Sequence, residues 1–470
     1  MRDKMDMELL SYSRMPAVKT QIDLGADHRS LPFERWLVHA GIMADGGTAG
    51  FPVLLPAGHR VMEKLRRLVR RHANRVGFHE MQFPSLYPAD LLERSGRLGQ
   101  FGSSVFQCPG EDRKTLLLAP THEEWISDFF ADQAPSWGRP GQLPKMVYQI
   151  AHLWRDLFSG RGKGGKGFLK VNEFELFESY TLCADEEQLD QVMDKVDDLY
   201  RAIFGELGLT NLLYFDYRRV ADGESRRPKV YTDHLLPHEK GEYRFFRGES
   251  GQLFASPGRC VSCRAPLAEN HGDAALRFAC AEGHPSGAPG LAWGSEEPLR
   301  LERMFTVGMS MRVEDECTKP FQLHYRDRQG ALRPVVMGTH GLGLLRLLLA
   351  LYDRHHGERG MEWPAGLSPC DVTVVPRTEE DLEPAQAAWR CLTELGLESV
   401  IDDRFNMSHY ARVLFSELLG IPRVLAVGRR GDSTCYSVIP RGARNAEVTK
   451  SSSLATALAN LPGAGFENRR

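Results

Sequence analysis

Two apolar-aromatic runs, AHLW at 151–154 and FLKVNEFELF at 168–177, flank a segment dominated by Gly, Lys and Arg. A helix does not run through so many glycines, so the pattern predicts two antiparallel strands joined by a long basic loop. Arg155 ends the first strand, and Glu173, Glu175 and Glu178 punctuate the second. Such a hairpin suits a polyanion together with a cationic ligand. Arg155 and the loop would meet phosphates, and the carboxylates an amine or a metal. The alternative is a solvated hairpin tip with incidental charges.

At 470 residues the chain is too long for one core, and two or three domains are expected. With 26% charged and 42% hydrophobic residues it reads as globular. A formal charge of −3 excludes a uniformly basic coat for nucleic acid but permits a local basic face. No run of 18 apolar residues is present, so no membrane span is expected. The opening residues, MRDKMDMELLSYSRM, carry acids and have no apolar core, unlike a secretory signal. The nine cysteines are scattered over the whole chain, which makes a reducing cytoplasm the simplest reading.

The other regular segments follow from their periodicities. Val61, Leu65, Leu68, Val69, Ala73 and Val76 share one face of a helix opened by Pro56 and Gly58, ended by Gly77 and covered outside by Lys and Arg. FHEMQFPSL after it reads as a strand, as do SSVFQC and TLLLAP. Pro120-Thr121-His122-Glu123-Glu124 opens a helix. Thr121 and Glu124 there fit a capping box, unless these side chains face a pocket and meet an amine. Leu189, Val192, Val196, Leu199, Ile203 and Leu207 set the buried stripe of a second long helix.

Residues 211–299 are irregular. Within them Cys260-x2-Cys263 and Cys280-x3-His284 offer two ligand pairs on turns, with Gly283 letting the second turn close. Four soft ligands with no open position predict a structural Zn²⁺, His271 being a weaker fourth ligand and free thiols the alternative. Further on, VVMGTHGLGLLR is a strand running through glycines into an apolar helix whose first turn carries Arg346, a cation costly to bury without an anion. After PAGLSP, strands and helices alternate as in a small α/β domain.

Taken in order, FPVLLPAGHRVMEKL with GFHEMQFPSL, then LAPTHEEW, WRD with FLKVNEFELFESYTL, and VVMGTHGLGLLR resemble the signature motifs of class II aminoacyl-tRNA synthetases. The details are most similar to the bacterial prolyl-tRNA synthetases. LGLESVIDDRFNMSHYARVLFSELLGIPRVLAVG resembles their anticodon-binding domain. The resemblance implies an α/β (α+β) chain with three parts. An antiparallel-sheet catalytic domain would take residues 1–210 and 300–364, a zinc-ribbon-like insertion 211–299, and an α/β anticodon-binding domain 365–470. It further implies that Arg155 holds the ATP α-phosphate and the amino-acid carboxylate. Arg346 and Phe174 would take the adenine from its two sides, with Arg346 also at the γ-phosphate. Glu173 would contribute to adenine or Mg²⁺, and Thr121 and Glu123, with Glu178 and His340, would line the amino-acid pocket. The stretch ending at Pro84 would form a homodimer interface, and tRNA would be the acceptor.

Departures from the pattern fall in the pocket. Arg155-Asp156-Leu157 replaces Arg-x-Glu, and Asn172 stands where an Arg is expected. Glu302-Arg303-Met304-Phe305 replaces a Gly-His-aromatic segment, and the large editing domain is absent. The reading is ATP-dependent activation of proline or a similar small amino acid and its transfer to tRNA. The alternatives are a non-tRNA acceptor or an inactive tRNA-binding paralogue.

Overall fold

Helix α1 (Pro56–Arg75) forms as its periodicity predicts, with Val61, Leu65, Val69 and Ala73 fully buried. It stops at Gly77, whose φ of +93° favours glycine. The computed structural model describes residues 11–12, 33–48, 50–110, 115–138, 141–157, 167–209, 213–216, 231–247, 253–254, 268–271, 276–279, 300–313, 315–357, 359–442 and 449–459. They belong to two compact units, His72–Gly205 with Leu209–Leu347, and Met1–Arg71 with Glu206–Gly208 and Leu348–Arg470.

The first unit is built on a nine-stranded sheet. Its strands are β1 (His79–Glu80), β2 (Lys145–Trp154), β3 (Glu173–Cys183), β4 (Leu213–Asp216), β5 (Tyr231–Pro237), β6 (Tyr243–Arg247), β7 (Leu253–Phe254), β8 (Arg300–Arg312) and β9 (Val336–Gly343). The order is β7-β6-β8-β9-β3-β2-β1, with β5 pairing both β8 and β4. Every pairing is antiparallel except that of β1 with β2. β2 and β3 are the predicted hairpin, in register from Lys145 opposite Leu182 to Trp154 opposite Glu173.

Directly paired residues share a sheet face, which sorts the side chains. Gln149, Glu178 and Gly341 lie in one row, and Tyr148, Ser179, His340 and Ser310 in the next, on the opposite face. Helix α2 (Glu123–Asp132) packs on the Glu178 face through Ile126 and Phe130, beside Tyr180, Leu182 and Met337. Helix α3 (Glu186–Glu206) covers the other face. Its stripe from Leu189 to Ile203 is buried, and Asp197 Oδ1 accepts from Thr232 Oγ1 of β5 at 3.2 Å. Gly338 is required under that helix, since a Cβ there would come within 2.7 Å of Thr181 Oγ1 and 2.8 Å of Leu189 Cδ1. β9 leads directly into helix α4 (Leu344–His355).

Two expected strands are shorter than their sequences predict. FHEMQFPSL pairs with β2 only at His79 and Glu80, and its last residue, Leu86, pairs instead with Leu118. Beyond Met81 the Phe83 N–H donates to the side chain of Gln149 at 2.9 Å, and Pro84 has no N–H to offer a ladder. In SSVFQC only Gln107–Pro109 is a strand, because Gly102–Ser104 turn as a 3₁₀ helix.

In the second unit the alternating tail forms a five-stranded sheet of β10 (Val372–Pro376), β11 (Ser399–Ile401), β12 (Arg423–Arg430), β13 (Ser433–Pro440) and β14 (Thr449–Ser451). The order is β11-β10-β12-β13-β14, parallel across the first three strands and antiparallel thereafter. Helices α5 (Leu382–Glu394) and α6 (His409–Leu418) connect the parallel strands. Val372, Val374, Ala388, Trp389 and Leu425 make the core. Of residues 211–299, expected as an insertion, the described ones supply β4, β5, β6 and β7 of the nine-stranded sheet and a separate hairpin of Ala268–His271 with Leu276–Ala279. Cys260, Cys263, Cys280 and His284 lie outside the described residues. Among the described residues no helix is long and apolar enough to cross a membrane.

Candidate active site

Arg155 leaves the end of β2 under close control. Its N–H donates to Asn172 O at 2.8 Å, and its Nε donates to Pro120 O at 2.9 Å. The guanidinium lies 5.5 Å from the Phe174 ring centre and 5.9 Å from that of Phe101. Burial lowers its pKa from the ordinary arginine value, against the opposing fields of Glu123 and Glu178. Asn172, where the related motif carries Arg, accepts from Leu157 N with its Oδ1 at 3.0 Å. Asn172, which follows the basic loop, therefore accepts twice from the chain that precedes it, through its backbone from Arg155 and through its side chain from Leu157.

The hydrogen bond from Arg155 to Pro120 delivers the guanidinium next to Thr121. The capping box expected of Thr121 and Glu124 is not formed. The N-cap of α2 is His122, with no side-chain capping bond, and Thr121 Oγ1 donates to the Glu123 carboxylate instead. Glu124 is fully buried and accepts from Ser95 Oγ at 2.9 Å, Tyr87 OH at 3.1 Å and Arg97 Nη1 at 2.8 Å. The same Arg97 Nη1 reaches Glu123 Oε2 at 3.2 Å and Cys317 Sγ at 3.3 Å. Tertiary partners outcompete the local cap because α2 starts inside the molecule, where each carboxylate needs a donor.

Glu178 closes the floor. Its Oε2 lies 2.9 Å from His122 Nδ1 and accepts from Gln149 Nε2 at 3.0 Å. Burial alone would raise the Glu178 carboxyl, but His122, Tyr180 and Gln149 outweigh it and hold it below the usual carboxylate value. Burial likewise disfavours the His122 cation, yet Glu178 holds the imidazole above its ordinary value. The two form a buried pair beside Tyr180 and Gln149.

Arg346, in the first turn of α4, donates through Nη1 to the Glu242 carboxylate and to Thr306 O at 2.9 Å, and through Nη2 to Leu169 O at 3.2 Å. Glu242, immediately before β6, is the anion that the apolar helix demanded. Gly343 leaves room for the arginine stem, since a Cβ there would already touch Arg346 Cβ at 3.4 Å.

The structure thus brings together Arg155, Thr121, Glu123, Glu178 and Phe174, and ties Arg346 to the 167–172 segment that also holds Arg155. Two predicted residues fall elsewhere. His340 is on the opposite face from Glu178, fully buried and 3.1 Å from Thr181 Oγ1, its pKa pushed down to about 3 by burial. Glu173 alternates away from Phe174, with its Oε1 3.1 Å from His152 Nδ1. The parity of 173 and 178 on one strand carried that signal. Arg97, Gln149 and Glu242 were missed, since nothing local in the sequence announces a partner that folding supplies. Among the described residues no group of three or more His, Cys, Asp or Glu is placed to hold a metal ion.

Residues 106–355, more than half of the chain, match the family model of the tRNA synthetase class II core domain (G, H, P, S and T). The chain belongs to the class II aminoacyl-tRNA synthetases. The proline--tRNA ligase of Maricaulis maris is 27% identical to this synthetase, over 82% of the chain and 84% of the relative. That of Limosilactobacillus fermentum is 23% identical over 94% and 98%. The structure of Giardia lamblia prolyl-tRNA synthetase in complex with prolyl-adenylate superimposes with a TM-score of 0.62 at 16% identity, covering 91% of this chain and 75% of that one. The synthetase is a prolyl-tRNA ligase-like enzyme of ATP-dependent amino-acid activation and transfer to tRNA.

Proposed function

We propose that the amino acid is proline or one of similar size, and that Arg155, Thr121 and Glu123 hold it. The observation carrying this reading is the 2.9 Å bond from Arg155 Nε to Pro120 O, which sets a cation for the substrate carboxylate beside the hydroxyl and carboxylate available to its amine. The substrate carboxylate oxygen attacks the α-phosphorus of ATP, the bond to the bridging oxygen breaks and pyrophosphate leaves. Arg155 offsets charge developing on the α-phosphate, and Phe174 and Arg346 flank the base, with Arg346 also meeting the γ-phosphate. Mg²⁺ bound with ATP would supply positive charge for the leaving pyrophosphate. In the second step a tRNA ribose hydroxyl attacks the acyl carbon and AMP leaves.

We assign tRNA recognition to the 365–470 domain, as the resemblance of its sequence implies, and dimerisation to the stretch ending at Pro84. Structural zinc on Cys260, Cys263, Cys280 and His284 rests on their spacing and is tested by metal analysis of the purified protein.

Amino-acid-dependent pyrophosphate exchange across the twenty amino acids tests the substrate, with tRNA charging as the second readout. Exchange stimulated by proline and weakened at least a hundredfold in Arg155→Ala is expected. Exchange with a large or acidic amino acid alone would overturn the assignment.

A further inference from the structure

We propose that Arg97 is a positioning residue that keeps Glu123 ionised for the substrate amine by carrying the charge of Glu124 beside it. The inference rests on the reading that Glu123 receives the amine. Glu123 and Glu124 are consecutive in the first turn of α2, and Arg97 Nη1 bridges them at 3.2 and 2.8 Å. Glu124 is wholly enclosed by Ser95, Tyr87 and Arg97 and has no path to a ligand. Glu123 is the member that Thr121 orients and whose field reaches Arg155.

Two like charges this close in a buried setting compete for ionisation unless a cation serves both. Without Arg97 the two carboxylates would face each other with no cation bridging them. An ammonium needs the opposite, a carboxylate ionised before it arrives. Burial and the Glu123 charge raise the Glu124 carboxyl, and Arg97 opposes them. Arg97 in turn sits above the ordinary arginine value, because its two carboxylates outweigh its burial. The other groups facing Glu123 are Thr121, Arg155, His122 and Tyr180, with Tyr87 and the Cys317 thiol on the far side. Of these cations Arg155 donates to Pro120 O and His122 faces Glu178, whereas Arg97 contacts both carboxylates of the pair.

The test is the KM for the amino acid in pyrophosphate exchange between about pH 6 and pH 8.5, read as the ratio of variant to wild type so that titration of His122 cancels. In Arg97→Gln the ratio should be at least tenfold at the acid end and fall toward one at the alkaline end. Arg97→Lys should stay near one throughout. The double variant Arg97→Gln/Glu124→Gln removes one cation and one anion together. It should give a flat ratio, and this balanced pair serves where the single variant does not fold. A pH-independent ratio in Arg97→Gln, or a pH-dependent one in the double variant, overturns the proposal. Glu123→Gln separates the premise. If it leaves the KM unchanged, the amine reading itself fails, whatever Arg97 does.

Discussion

His122 and Glu178 show how a buried pair sets its own pH window. Glu178 is depressed below its ordinary 4.5, so its stabilisation is present above that value and lost as pH falls through the folded pKa. His122 is raised above its ordinary 6.5, so its share is complete below that value and lost as pH rises through the folded pKa. The pair therefore contributes fully between the two ordinary values and fades on both flanks. Replacing His122 by Gln should cost about 3 kcal/mol near pH 6, because a buried carboxylate loses its cation. The gap in urea midpoint between wild type and variant should narrow as pH rises above 6.5 through the folded His122 pKa. A gap that stays constant over that range would mean the imidazole is not charged in the folded state.

At the scale of elements, the β2–β3 hairpin owes its precision to Asn172. Asn172→Ala removes the acceptor for Leu157 N, while the backbone bond to Arg155 survives. The KM for ATP should rise about tenfold, the equivalent of one lost part-buried hydrogen bond, with little change in thermal stability. Pyrophosphate exchange at varied ATP measures this, and a KM within twofold of wild type would deny Asn172 the role. Much of this element was legible in the sequence. Alternating apolar runs gave the strands, the glycines gave the loop, and Arg155 stood at the junction. The 3.6-residue stripes of α1 and α3 were equally plain, because each helix buries a single face. Strand parity also sorts the acids by face, placing Glu173 on the face opposite to Glu178. Arg97 and Glu242 are different. Their importance lies in carboxylate or guanidinium partners 26 and 104 residues away, and no local pattern fixes such a pairing. Local propensity misled at Thr121, where a sound capping motif gave way to buried carboxylates with stronger claims.

For the whole molecule, a formal charge of −3 means that tRNA must be drawn by local basic surfaces against the net field. The carboxylates of the candidate site, by contrast, are already paired, Glu123 and Glu124 with Arg97 and Glu178 with His122. Raising NaCl from about 50 to 200 mM should therefore raise the KM for tRNA at least tenfold in charging. The KM for the amino acid in exchange should move less than twofold, because buried pairs are poorly screened. Equal salt responses of the two KM values would place tRNA recognition outside phosphate contacts. The Cys317 thiol, buried against Arg97, has a further use. Burial holds it protonated, well above its ordinary value. An alkylating reagent, which consumes only thiolate, should reach the partly exposed Cys108 first. The slow modification of Cys317 then times how often the carboxylate pocket breathes, a clock wound by the fold and readable by mass spectrometry without touching the chemistry it reports.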